Sequence, residues 1–381
     1  MTTKKNHLES LRGIAALSVA VYHFEIGSLL DVPFTGEAWL MVDFFFVLSG
    51  YVISLSYADR LHGWSSAVSF QKKRFFRLYP LHVVMLLVFV GLEIAKFMFV
   101  GRTGAQTQPA FVTNDLSSFV QNLFLAQALF NEQLTWNQVS WSLSAEFYTY
   151  ILFAALLVSF GRRSPWRHFV ILMLVAWSAT VLLEHRMSTT SFGIYRCIYA
   201  FFIGAIAQEF EARFLARHSK GGSLLPVLLA LLLVVFVSHA AEASNALLLF
   251  FPVLAAALIL SLNRCHGDAV MLRMLEHPWL VFLGTVSYGI YMIHTTVWWV
   301  FRQVLRFVFH VEVTVDAEGR TDFQLDSIAV ATGLHLAGLA LTVLLAYASY
   351  RFLEEPILRR FAPAGERRPD ASAQGVLSVS R

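Results

Sequence analysis

Ten stretches of this chain are apolar for about 20 residues each, the length that crosses a hydrocarbon core as a helix. They cover roughly 11–30, 39–58, 80–100, 141–160, 166–184, 191–210, 223–240, 244–262, 278–300 and 326–352. In lipid every backbone N–H and C=O must be satisfied within the segment or by a closed barrel, so runs of this length specify helices. The run Leu116 to Phe130 is shorter and holds Gln121, Asn122 and Gln127, which reads as a re-entrant or surface helix. Composition agrees. Hydrophobic residues make up 57% of the 381 and charged residues 14%, where a soluble domain carries about 25% charged. The expected class is an all-α polytopic membrane protein with about ten transmembrane helices.

Charge placement supplies the orientation. Lys and Arg collect in the N-terminal tail, in 59–79, in 161–168, in 211–222, in 263–277 and after 350, and the intervening loops are poorer in cations. This alternation fits ten spans with both termini cytoplasmic under the positive-inside rule, provided that 116–130 does not cross. The short MTTKKNHLES tail and the first apolar run show no cleavable signal pattern. Residues 1–361 read as one membrane domain, and the small, polar segment 362–381 as a disordered cytoplasmic tail. Two cysteines, Cys197 and Cys265, give neither a disulfide framework nor a metal signature. No metal and no nucleic-acid partner is expected. The oligomeric state is not encoded in any repeat or heptad pattern.

Ionisable groups inside spans are costly and mark function by default. Here they are His23, Asp43, Glu93, Lys96, Glu146, Arg196, His294 and His335. Arg12 and His23 are eleven residues apart. That is close to three helical turns, with about 20° of residual rotation and about 16 Å of rise, so they share one face. Arg12 then sits at the cytoplasmic edge and His23 near the midplane. Asp43 and Glu146, a few residues into spans that start outside, fall in a similar layer. An imidazole beside a carboxylate suits general-base chemistry, with Asp43 or Glu146 orienting the ring. The plainer alternative is that a membrane histidine is a hydrogen-bonded strut between helices; His335 reads that way. Glu93 and Lys96, three apart, can neutralise each other.

Four further stretches carry polar chemistry. In QKKRFFRLYPLH, Arg74 and Arg77 share a face if the segment is helical, with Lys72 and Lys73 beside them and Pro80 at the entry to the third span. Such a cluster is either membrane anchoring or a phosphate site, for which guanidinium forks are suited. WSLSAEFY places Trp141 and Ser142 just above Glu146. SYGIYMIH puts Ser287, Tyr291 and His294 in a polar stripe at i, i+4, i+7. FLEEP, alone, reads as a helix end.

Together these stretches resemble the membrane-bound acyltransferase-3 family. The matching segments are Arg12 with His23, DFFFVLSGY (43–51), RFFRLYP (74–80), WSLSAEFY (141–148), SYGIYMIH (287–294) and FLEEP (352–356), collinear from residue 8 to about 360. One departure is visible: Met41 and Val42 precede Asp43 where the family often has glycine. The resemblance implies a multi-pass protein of the cytoplasmic (inner) membrane. It would move an acyl group, often acetyl, from cytoplasmic acyl-CoA to a hydroxyl of an envelope carbohydrate. It implies His23 as the catalytic histidine, supported by Arg12, with Glu146 and Asp43 in the active centre and Arg74, Arg77 and Lys73 on the CoA phosphates. The acceptor would enter from outside past Trp141, Ser142, Ser287, Tyr291 and His294. The partners implied are acyl-CoA, a carbohydrate acceptor and membrane lipid. A proton-coupled secondary transporter or glycan exporter is the rival reading, since it too would use intramembrane His, Glu and Arg.

Overall fold

The computed structural model describes residues 5–103, 109–130, 133–185, 192–215, 221–267, 269–311, 313–315, 321–323, 325 and 327–361. The expected tail 362–381 lies outside them. The described chain is helical apart from one small antiparallel hairpin, Val313–Val315 with Thr321–Phe323. The principal helices, in order, are α1 (Asn6–Tyr22), α2 (Met41–Tyr57), α3 (Trp64–Thr103), α4 (Leu116–Leu123), α5 (Trp141–Phe160) and α6 (Pro165–Glu184). They continue as α7 (Gly193–Phe210), α8 (Leu224–Ser238), α9 (Phe251–Asn263), α10 (Pro278–Thr285), α11 (Ser287–Phe307), α12 (Ile328–Ser349) and α13 (Glu355–Phe361).

Six helical segments are long and apolar enough to cross a membrane, and a seventh is obtained by joining α10 to α11. The other three expected runs are helical too, as α1, α7 and α8, but shorter or interrupted by polar residues. This is a multi-pass membrane protein.

Three departures from the expected spans shape the site. The first run is helical only to Tyr22, and His23 ends the helix instead of sitting within it. Beyond it Gly27 takes a positive φ of 71°, and the Asp31 carboxylate accepts from the backbone N–H groups of Ile26 and Ser28, which folds the chain into a tight loop. Second, α3 begins at Trp64, so the basic segment is already helical and Pro80 lies inside the helix instead of opening it. Third, the run 278–300 is broken at Val286 with a bend of 68°.

Close helix approach holds the centre together. A Cβ on Gly50 of α2 would collide with the Phe201 carbonyl of α7, and one on Gly204 with the Val47 carbonyl. Small residues let two backbones touch, and in lipid that packing drives association where no hydrophobic gradient exists. Around this crossing lie fully buried aromatics, among them Phe46, Tyr51, Phe153 and Phe201.

Candidate functional site

The end of α1 is fixed by the partners of its last carbonyls, which a helix C-terminus leaves without intrahelical donors. His23 Nδ1 lies 2.9 Å from the Val19 carbonyl. Trp298 Nε1–H donates to the Ala20 carbonyl at 2.7 Å, and its ring stacks on Phe24 at 4.2 Å. Arg302 Nη2 donates to the His23 carbonyl at 2.6 Å, a cation at the negative end of the helix dipole. Arg302 was expected beyond the membrane in the loop after residue 300; α11 instead continues to Phe307 and carries it back to α1.

His23 stands against a second imidazole. His294 Nε2 is 3.2 Å from His23 Nδ1, and His294 Nδ1 is 3.0 Å from the Ile290 carbonyl. A carbonyl only accepts, so His294 carries its proton on Nδ1 and presents the Nε2 lone pair to His23. His23 in turn carries its proton on Nδ1, shared between Val19 and His294. Its Nε2 is left bare, with no protein partner among the described residues. The tautomer that a general base needs is thus set by two backbone carbonyls and a histidine.

This corrects the expected partner. Neither Asp43 nor Glu146 hydrogen-bonds His23. Asp43, 1% exposed, accepts from Arg196 through both oxygens, at 3.2 Å from Nε and 2.9 Å from Nη2. Glu146 Oε1 accepts from Ser49 and Tyr150, each at 2.5 Å. His294, expected to touch the acceptor, is fully buried behind His23.

Three cavities surround these groups. The first is narrow, about 90 Å³, and is lined by Arg12, Arg74 and Arg77 with Glu146, Ser142 and Ser287. The second, about 490 Å³, holds His23 with Trp39, Trp141 and Arg196. The third, about 960 Å³, opens on the other side of His23, between Glu93 and Lys96 on α3 and Arg302 and Arg306 on α11. Val42 and Tyr291 line both the first and the second, and so form the wall between them. The Tyr291 hydroxyl is held there by Ser142 at 2.8 Å and the Val139 carbonyl at 3.1 Å.

Arg74 and Arg77 share one face of α3, as their spacing requires, and Arg12 joins them from α1. None of the three makes a salt bridge among the described residues, and Arg77 feels both others as like charges. Arg74 rests against the Tyr57, Phe70 and Tyr150 rings at 5.2–5.9 Å and donates to Tyr57 Oη, leaving Nε buried without a partner. Glu146 lines the same cavity and Arg77 also feels Glu9 as a counter-charge, but three guanidiniums against one lining carboxylate leave the cavity cationic, an environment that favours an anion. Lys73 is not among the lining residues; it is half-exposed on another face of α3.

Other expected positions move. Ser142 and Ser287 face the arginine cavity instead of an outer entrance, and each donates to a backbone carbonyl. Trp141 is 6% exposed and packs on Arg196. His335 is the expected strut, 2.9 Å from Ser28 Oγ. Glu93 lies 3.7 Å from Lys96 and accepts from Asn114 and the Phe111 N–H. No group of three or more metal-ligating side chains occurs among the described residues.

The fold and site define a polytopic helical membrane protein with an imidazole separated by one wall from a cationic cavity. Residues 6–351 match the acyltransferase-3 family (acyltransferase domain), and the chain belongs to that family. It is 32% identical over 159 residues to the acyltransferase MdmB of Streptomyces mycarofaciens, covering 38% of this chain and 37% of that one. It is 23% identical, over 97% of its own length and 60% of the other, to a Staphylococcus aureus (strain COL) protein provisionally named as an O-acetyltransferase. Protein 2 in the picA locus of Rhizobium radiobacter is 36% identical over 92 residues, 24% of this chain and 47% of that protein. The chain thus spans between about a third and three fifths of the length of these relatives. No solved structure matches it.

Proposed function

We propose that this protein is a membrane O-acyltransferase that moves an acyl group, in the simplest case acetyl, from cytoplasmic acyl-CoA to a hydroxyl of a carbohydrate presented from the opposite side. The observation that carries the reading is a bare imidazole nitrogen at His23, one wall away from three converging guanidiniums that make no salt bridge among the described residues. Family membership and the names of the relatives point the same way.

The arginine cavity is too narrow for a nucleotide, so the CoA phosphates dock at its mouth on Arg74, Arg77 and Arg12. The thin pantetheine arm threads past Ser49 and Glu146 towards the Val42–Tyr291 wall. Rotation of Tyr291 away from Ser142 opens that wall and brings the thioester to His23. An acceptor hydroxyl reaches the same imidazole through the two cavities on its other side. His23 Nε2 takes the hydroxyl proton as the oxygen attacks the thioester carbonyl. Collapse of the adduct breaks the C–S bond, and the imidazolium returns the proton to the leaving sulfur. His294 accepts a hydrogen bond from the charged ring, the task expected of a carboxylate.

The charge alternation along the sequence supports ten spans in the inner membrane, with both termini cytoplasmic and the α4 segment not crossing. The arginine cavity then faces the cytoplasm, where acyl-CoA is made. Membranes containing the protein, incubated with acetyl-labelled acetyl-CoA, should place label in alkali-labile esters on carbohydrate. Label that stays on acetyl-CoA, with a solute gradient formed instead, would establish the transporter reading.

A further inference from the structure

We infer that Arg196 is the donor that stabilises the oxyanion formed when the thioester is attacked. This rests on the acyl-transfer reading above and adds to it the group that the His23 chemistry lacks.

The guanidinium of Arg196 is 1% exposed and is clamped on three sides. Asp43 takes Nε–H and Nη2–H in a side-on fork. The indoles of Trp39 and Trp141 lie 5.0 and 5.3 Å from its central carbon. Gly193, one turn earlier on α7, makes room for Trp141, because a Cβ there would enter the Trp141 ring. The remaining corner, Nη1, is buried and has no hydrogen-bond partner. An unmet buried N–H costs free energy, and the buried Arg167–Glu209 pair leaves one nitrogen unmet as well, so it is the cavity beside Arg196 that sets its free corner apart. Here one donor is withheld, and its residue lines the same cavity as His23 and Tyr291.

That arrangement is what an oxyanion site requires: a rigid, charged N–H held by its neighbours and already oriented before charge develops. As the acceptor oxygen bonds to the thioester carbon, the C=O electron pair moves onto oxygen, where Arg196 Nη1–H meets it. When the pair returns, the C–S bond breaks and the thiolate takes the proton held on His23. Asp43 is then a positioning residue. It holds the guanidinium in register and keeps the cation neutralised between turnovers, so that the free corner does not trap anions in the ground state.

The test is thiol release from acetyl-CoA by purified protein, with water as acceptor, since hydrolysis passes through the same adduct. Arg196→Lys keeps the charge beside Asp43 but loses the planar fork. It should melt near the wild type, keep the KM for acetyl-CoA within a few-fold, and lose about 10²-fold in kcat. The double variant Asp43→Leu/Arg196→Met removes both charges, so no lone ion is left buried. It should fold and show at least the same loss. Wild-type kcat in either folded variant overturns the assignment. Wild-type protein that releases no thiol overturns the acyl-transfer reading, and this inference with it.

Discussion

Arg196 and the Arg12–Arg74–Arg77 group lie on opposite sides of the Val42–Tyr291 wall and differ in how their charge is met. Arg196 has a dedicated buried carboxylate and two indoles, one of them, Trp141, buried. Of the other three, Arg74 has aromatic faces and a tyrosine hydroxyl, and none makes a salt bridge among the described residues. A compensated cation belongs to the scaffold and can be aimed. An uncompensated one waits for a ligand, and its cost is recovered only when an anion arrives. On the proposed function, the same residue type serves a fixed site on one side of the wall and an exchangeable one on the other.

The contrast is broken most severely at His23, the proposed base on the Arg196 side of the wall. His23→Ala should lower kcat by about 10³-fold, within the range for losing a positioned general base. Arg74→Ala with Arg77→Ala comes next. Each charge-assisted contact is worth about 1.5–3 kcal/mol, so the pair should raise the KM for acetyl-CoA by 10²-fold or more while sparing the melting temperature. Steady-state thiol release measures both. If the arginine cavity faces the cytoplasm, as proposed, the wild-type KM should also rise with added salt.

His294 gives a smaller effect. His294→Phe removes the lone pair that accepts from His23 Nδ1, leaving the Val19 carbonyl to hold the tautomer alone. The expected loss in kcat is about tenfold, with KM unchanged. A His294→Phe enzyme with wild-type kcat would assign the orienting role to Val19 alone. The smallest change lies far from either region. Asp115 caps α4 by accepting from the Ser118 N–H at 2.7 Å, and this backbone bond holds its carboxyl below the usual range. Asp115→Ala should cost about 1 kcal/mol of stability and leave turnover intact. The depressed pKa means that this contribution is present above the unfolded carboxyl pKa and is lost as pH falls through the folded one. A melting series in acid would show the wild type and the variant converge.

Much of this was legible in the sequence because it depends on local periodicity. The apolar runs fall on helices, six or seven of them long and apolar enough to cross a membrane, and the i, i+3 spacing of Arg74 and Arg77 became a shared face. The Glu93–Lys96 pair and the His335 strut also depend on short spacings or on one buried polar group. Contacts between distant segments were not legible. Asp43 and Arg196 are 153 residues apart, and His23 and His294 are 271 apart. Residue type alone pairs an imidazole with a carboxylate as readily as with another imidazole. Only the crossing of α2 with α7 and the return of α11 to α1 decide between them. The early end of α1 was hidden for a different reason: apolar residues continue past Tyr22 to Leu30, while the Gly27 backbone and the Asp31 side chain turn the chain. Helix continuity misled in the other direction at Pro80, which removes one backbone donor without ending α3.

The central claim is that donor binding and proton abstraction occupy separate sites on either side of one wall. It is tested most directly by equilibrium binding of labelled acetyl-CoA to His23→Ala and to Arg74→Ala/Arg77→Ala, side by side. The account predicts wild-type affinity without turnover in the first, and loss of binding by about 10²-fold in the second. Loss of binding in His23→Ala, with full binding in the arginine variant, would contradict it.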